Sequence, residues 1–362
     1  MAEISDDTSD AQALPQAAFE EITRMVTGEF QIEESFLKQG TPTYCLVWPQ
    51  ETKQTFLRLL KHLEEMKLIA FLRKQEGRTV LTVVPKPPVK TSNPKTNLIL
   101  LLATVATTFV TGYIGFPATG IAPFVSGAIF SSAILLVLGI HEMGHKITAN
   151  KKNIDATSPY FIPGPPPLGT LGAVIMQKSL PRNRDALFDV GANGPIAGFI
   201  VALAFSAVGL LLLIPSPISP EEGTLGLMPA SWLLLAKAFS GLNLLPQAPA
   251  GGVLLLHPIT WAGWAGMVVT MINLLPAAML DGGHVARSAL ANDKARMALT
   301  FASVALLLFT GTEFLVMAFL IVFMSMFRHP GPLDDVSSLS RNRKLITLAL
   351  VAVFVLSFPI RG

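Results

Sequence analysis

Charged side chains are scarce in this sequence. Asp, Glu, Lys and Arg supply only 14% of its 362 residues, whereas soluble domains carry roughly 25%. Hydrophobic residues reach 51%, and the mean hydropathy is +0.53. This balance excludes an ordinary soluble domain and predicts a mainly α-helical, polytopic membrane protein.

Cysteine and basic tracts are also nearly absent. The single cysteine, Cys45, cannot form an intrachain disulfide, and its strand-like neighbours indicate a buried thiol without a redox role. The formal net charge is only +3, and no basic run is present that could follow a phosphate backbone. We therefore expect no nucleic-acid partner.

The chain opens with an acidic segment. Residues 1–7 contain no basic start, no apolar core and no small-residue cleavage site of the secretory kind. Residues 1–16 are predicted to form a disordered acidic tail. Residues 17–95 are predicted to form a small cytosolic α+β domain with a stiff, proline-rich linker, because helix-like and strand-like periods alternate along them.

Long apolar stretches follow this domain. A hydrocarbon core of roughly 30 Å sets the length that a span requires. The candidate spans are residues 97–116, 124–149, 188–213, 261–279, 295–310, 313–327 and 344–358. Residues 232–256 are interrupted by Gly and Pro and are predicted to be re-entrant or interfacial. We expect six to seven spans, with a core in residues 96–290 and further membrane helices in residues 291–362.

Basic residues indicate the orientation of these spans. The loops on one side contain Lys86, Lys90, Lys95, Lys146, Lys151, Lys152, Arg182, Arg184, Arg287, Lys294 and Arg296. The opposite loops contain Glu221 and Glu222, with only Lys237 as a positive charge. By the positive-inside rule the N-terminal domain faces the cytosol. We expect a multi-pass protein of the plasma membrane.

A His-Glu-x-x-His motif, His141-Glu142-Met143-Gly144-His145, ends a region (residues 97–140) without any charged residue. Residues four apart share a helix face, so His141 and His145 can bind one zinc ion while Glu142 acts as a general base. Two imidazoles and a carboxylate are costly in hydrocarbon unless they have partners. This setting favours a functional site over buried core histidines.

A catalytic zinc site usually has a third protein ligand and an open position. The acidic candidates near span ends are Asp189, Asp281 and Glu313. Asp281 is favoured because it lies at the cytosolic end of the fourth stretch, at the depth expected for the histidines. Pro276 and the pair Gly282-Gly283 would open the helix and let Asp281 turn inward.

The His-Glu-x-x-His motif and the sequence Asn273-x-x-Pro-x-x-x-Leu-Asp281-Gly together resemble the site-2 protease family of intramembrane zinc metalloproteases. The resemblance covers roughly residues 124–284. It implies that His141, His145 and Asp281 bind Zn²⁺, that Glu142 is the catalytic base, and that Asn273 orients the scissile carbonyl or its oxyanion. The implied substrate is a transmembrane protein, cleaved in the bilayer near the cytosolic leaflet.

Two further segments are interpreted beside this resemblance. Residues 160–167 cannot be helical and residues 168–176 are strand-like, which predicts a membrane-associated β-hairpin. Residues 169–176 resemble the family's substrate-pairing strand; the alternative is a purely structural hairpin over the site. Residues 191–198 are small and are predicted to pack beside the metal-binding helix.

Several histidines and acids have simpler interpretations than metal binding. His284 could be a fourth ligand, but a hydrogen bond or helix-start contact near the site is favoured. His257 and His329 each precede a proline at the end of an apolar stretch and are predicted to be interfacial. Asp189 is expected to pair with Arg184 or to cap the third span.

Two other classes of function remain open. An ion or metal transporter would also place His, Glu and Asp within the membrane, but no inverted repeat is evident. An inactive membrane scaffold is the other alternative. The intact Glu142 and the complete set of ligands argue against it. The sequence leaves the oligomeric state open.

Overall fold

The computed structural model describes residues 16–88, 93–217, 226–327 and 329–361. The expected acidic tail (except Gln16), Lys90, Glu221 and Glu222 lie outside the described residues, as does the side chain of Glu313. The chain forms two compact units. The N-terminal unit contains residues 16–88 with Leu180–Arg184 and Gly331–Ser338, and the helical unit contains the remaining described residues.

The N-terminal unit has an α+β fold. Its helices are α1 (Gln16–Glu29) and α2 (Lys53–Glu65), and its strands are β1 (Ile32–Lys38), β2 (Thr41–Leu46), β3 (Leu68–Gln75) and β4 (Arg78–Pro85). The strands form one antiparallel sheet in the order β1-β2-β4-β3. Phe56, Leu59, Leu60 and Leu63 form one buried face of α2 and contribute to the shared core. The alternation of helices and strands predicted for this region is confirmed.

Two segments distant in sequence complete the N-terminal unit. Leu333 belongs to its hydrophobic core. The backbone of the fully buried Asp334 forms β-bridges with Leu72 and Asn183, while its carboxylate accepts hydrogen bonds from the amides of Val336 and Ser337. The unit is therefore assembled from three separate parts of the chain.

The helical unit begins with three long helices and a hairpin. The helices are α3 (Pro94–Gly115), α4 (Pro123–Lys151) and α5, which runs Arg184–Leu211 with its first residue in the N-terminal unit. Strands β5 (Tyr160–Pro163) and β6 (Thr170–Val174) pair antiparallel between α4 and α5. The predicted hairpin is confirmed. The Thr107 hydroxyl on α3 donates a hydrogen bond to the Gly169 carbonyl in the hairpin loop (2.6 Å).

Shorter elements complete the helical unit. The helices are α6 (Ala230–Gly241), α7 (Pro258–Leu274), α8 (Asp281–Ala289), α9 (Asp293–Thr310), α10 (Leu315–Ser325) and α11 (Arg341–Ser357). The short strands are β7 (Ile214–Ser216), β8 (Leu227–Pro229), β9 (Val253–Leu255) and β10 (Pro359–Arg361). β7 pairs with β9, and β8 pairs with β10. The stretch 232–256 therefore contains a short helix and a strand in place of one continuous span.

Within the described residues, α3, α4 and α5 are long and apolar enough to cross a membrane. The expected six to seven spans are thus not confirmed. Helices α7 and α11 have 17 residues each, or about 26 Å, which is shorter than a hydrocarbon core. The predicted fourth span ends at Leu274 instead of residue 279, because the chain leaves the helix there and Ala278 adopts a positive φ of 46°.

Candidate metal centre

The carboxyl half of α4 provides the motif residues. His141, Glu142 and His145 are all buried, and the two imidazole rings lie one helical turn apart with centroids 5.0 Å from each other. Helix α4 runs unbroken through the motif and ends at Lys151. A continuous helix therefore holds both imidazoles on one face.

Asp281 reaches this face because the chain turns sharply after α7. The turn ends where α8 begins, at Asp281. Gly282 and Gly283 lie directly against backbone carbonyls of the turn, and a Cβ at either position would overlap them. The glycine pair therefore permits the tight packing that directs Asp281 toward α4.

The three side chains converge on one point. One oxygen of Asp281, Oδ2, lies 3.2 Å from Nε2 of His141 and 3.2 Å from Nε2 of His145. A tetrahedral zinc ion with bonds of about 2.0–2.1 Å would separate its ligand atoms by about 3.3 Å. Two imidazole nitrogens and a carboxylate oxygen also form a common ligand set for zinc. His141, His145 and Asp281 are thus placed to bind a metal ion.

Contacts behind these ligands orient them. Nδ1 of His145 lies 2.7 Å from the Val190 carbonyl oxygen and donates a hydrogen bond to it, which leaves Nε2 available as a ligand atom. Asn273 lies near the end of α7, and its Nδ2 atom is 3.3 Å from Nε2 of His141. The structure therefore brings Asn273 together with the residues of the two motifs.

Small residues of α5 let that helix approach the centre closely. A Cβ on Gly194 would overlap Nε2 of His145, and a Cβ on Gly198 would lie 2.7 Å from Nδ1 of His141. Gly191 packs against the Asp281 backbone in the same way, at 2.9 Å. The predicted packing of residues 191–198 beside the metal-binding helix is confirmed.

Other residues singled out in the sequence have different partners. His284 is not part of the metal-binding group, and its Nδ1 atom lies 2.6 Å from Nε2 of His329. His329 is predicted from the sequence only to be an interfacial residue. The structure adds a specific partner for its ring, His284. His257 caps α7, where its Nδ1 accepts a hydrogen bond from the Ile259 amide.

The expectation that Asp189 pairs with Arg184 or caps the third span is wrong, because Asp189 lies inside α5 and has other partners. Asp189 forms a two-bond ion pair with Arg343 at the start of α11 and a second ion pair with Lys152 at the end of α4. Arg184 pairs instead with Asp335 within the N-terminal unit. Sequence reasoning missed Arg343 because the only signal was a basic residue beside an apolar stretch, 154 positions from Asp189.

Comparison with known proteins adds to this geometry. Residues 129–310 match the family described as Peptidase family M50. The chain is 32% identical over 225 residues to "Probable zinc metalloprotease EGY2, chloroplastic" of Arabidopsis thaliana, a match that covers 61% of this chain and 39% of the relative. It is 32% identical over 181 residues to "Probable zinc metalloprotease EGY1, chloroplastic" of Oryza sativa subsp. japonica.

The match to the Oryza sativa protein covers 47% of this chain and 30% of the relative. The chain thus spans less than half the length of these curated relatives. No solved structure matches it.

Proposed function

Because this chain belongs to peptidase family M50, the site-2 protease family, we propose that it is an intramembrane zinc metalloprotease. The main observation behind this proposal is the convergence of His141, His145 and Asp281, with Nε2 to Oδ2 distances of 3.2 Å. His141, Glu142 and His145 are buried on an apolar helix, which supports a functional centre because such polar groups are costly there without a bound partner.

The side chains have distinct roles in the proposed reaction. Bound zinc would supply Lewis-acid polarisation of the scissile carbonyl and would make water more acidic. Glu142 takes the proton of the attacking water and delivers it to the leaving amine. The Asn273 amide donates a hydrogen bond to the carbonyl oxygen as negative charge develops on it. The bond from His145 to the Val190 carbonyl holds that imidazole in the ligand orientation.

The proposed substrate is a transmembrane protein, which is bound as an extended strand. Helical peptide bonds are shielded by their own hydrogen bonds, so a cleavable segment must be unwound before attack. β6 is one strand of a two-stranded sheet. Leu171 on this strand is 65% exposed, and Met176 just after it is 60% exposed. These features support pairing of the substrate with β6. The exposed apolar side chains of the helical unit support contact with lipid.

The proposed arrangement in the membrane has six to seven spans, with α7, α9, α10 and α11 joining the three long helices. The highly exposed apolar side chains of the shorter helices, such as Phe309 and Phe319, support a lipid environment for them. We propose that the N-terminal unit lies on the cytosolic side of the membrane, because the loops on its side carry most of the basic residues. The names of the relatives contain the word chloroplastic, which does not support the expected plasma-membrane location.

The test uses the full chain in liposomes with a transmembrane peptide as substrate. Glu142→Gln should keep bound zinc and lose at least about 100-fold in cleavage rate, the lower range for a general base. The matched control is Glu33→Gln, at an exposed residue of β1, which should cleave at the native rate. Undiminished cleavage by the Glu142→Gln variant would refute the assigned role. Ion flux without chelator-sensitive cleavage would favour the transporter alternative.

A further inference from the structure

The short helix α8 carries Asp281 as its first residue. It has only nine residues, and the chain before it is irregular, with Ala278 at a φ of 46°. An isolated helix of this length is unstable in solution, so its position depends on tertiary contacts. The orientation of Asp281 therefore depends on what holds α8.

His284 lies in the first turn of α8, and its amide donates a hydrogen bond to the Leu280 carbonyl at 2.9 Å. It follows Asp281 by three positions, so the two side chains lie on neighbouring parts of the same helix face. The Cβ of His284 also lies 2.9 Å from where a side chain on Gly191 of α5 would begin. His284 and Asp281 thus share the helix start that packs against α5.

The ring of His284 has a specific partner. Its Nδ1 atom lies 2.6 Å from Nε2 of His329, and the two rings meet edge to face with centroids 4.8 Å apart. A bond between two ring nitrogens requires one N–H donor and one lone pair, so each imidazole fixes the tautomer of the other. Both rings are partly buried, which strengthens the bond relative to one in water.

His329 belongs to the helical unit, as His284 does. The two residues are 45 positions apart in the chain. Their bond therefore joins the first turn of α8 to the segment that follows α10 within the same unit. It adds a long-range contact that holds the start of α8.

We propose that His284 and His329 form a clasp that positions Asp281 for metal binding. This inference rests on the proposed function, because it assigns the clasp to the same metal site. His284 and His329 are positioning residues: they act on the site through helix α8 and do not contact the substrate. Mutation of the residues that hold metal ligands in place typically weakens metal affinity by about 10- to 100-fold.

The test measures binding of Co²⁺, a spectroscopic substitute for zinc, to the purified full chain. His329→Phe and His284→Phe keep an aromatic ring but remove the hydrogen bond. Each should weaken Co²⁺ binding by about 10- to 100-fold and alter the visible absorption spectrum of the bound ion. The double variant should be no weaker than either single variant, because both changes remove the same bond. His329→Gln, which restores a hydrogen-bonding group, should recover part of the affinity.

The control is His62→Phe, at an exposed histidine on α2 of the N-terminal unit, which should bind Co²⁺ as the native chain does. Thermal unfolding of the metal-free proteins checks that the clasp variants are folded. Native affinity and spectrum in folded clasp variants would overturn the clasp. So would a second bound ion per chain that is lost with His329, since that would make the pair a separate metal site. A native chain that binds Co²⁺ but does not cleave with zinc would overturn only the proposed function.

Discussion

At the metal centre, one carboxylate oxygen lies between two imidazole nitrogens, 3.2 Å from each. Gly194 and Gly198 of α5 lie directly against the two rings, where an added Cβ would overlap them. The close packing of α5 against the site therefore depends on the absence of side chains at these two positions.

Asp281→Asn should weaken zinc binding by at least about 100-fold, the upper range for loss of a supporting contact. The amide has nearly the same size as the carboxylate but provides no negative charge to the ion. Zinc affinity is measured by competition with a chelator, and Asp293→Asn is the control because that side chain is 85% exposed. Native zinc affinity in Asp281→Asn would exclude Asp281 as a ligand.

Gly194→Ala should weaken metal binding and destabilise the protein by about 1–3 kcal/mol, the usual cost of overpacking. The added Cβ would overlap Nε2 of His145, so the ring or α5 must move. Gly115→Ala is the matched control, since a Cβ there meets no atom within 4 Å. Zinc titration measures the change in metal binding of both variants, and thermal unfolding measures the change in stability. Equal behaviour of the two would contradict the packing argument.

At the scale of elements, an ionic cluster connects three helices of the helical unit. Arg343 at the start of α11 binds Asp189 of α5 through two nitrogens and Asp185 through a third contact of 3.0 Å. Lys152, after the end of α4, also binds Asp189. α11 is thus fixed to the helices that carry and surround the metal motif.

Arg343→Gln should lower the free energy of unfolding by about 2 kcal/mol. Losing one partner of a buried ion pair costs about 3–5 kcal/mol, and partial exposure of the two carboxylates reduces that value. Arg341→Gln provides a control at an exposed residue of the same helix. Denaturant unfolding in detergent compares the variants. A loss no larger than that of Arg341→Gln would mean that the cluster does not hold α11.

At the scale of the whole molecule, the N-terminal unit is built from three stretches of chain. Leu333 is buried in its core, and Arg182 binds Glu64 at 3.0 Å. The unit therefore depends on residues that precede α5 and α11.

A fragment of residues 16–88 should be less stable than the same residues in the full chain. Removing a buried leucine side chain alone costs about 2–5 kcal/mol, and the fragment lacks Leu333 together with the bonds of Asp334. Amide hydrogen exchange in β3 measures the difference, and Leu333→Ala in the full chain should reproduce part of it. Equal protection of β3 in the fragment and the full chain would contradict this dependence.

The sequence by itself determined the local features: the elements of the N-terminal unit, the hairpin, the long apolar helices, and the two motifs with their candidate ligands. These follow from periodicity, turn residues and residue chemistry, which act over a few positions. Only the tertiary structure decided that Arg343 pairs with Asp189, that His329 meets His284, and that Leu333 completes the N-terminal core. Such pairings join residues far apart in the chain, and a sequence specifies them only through the complete packing of the fold.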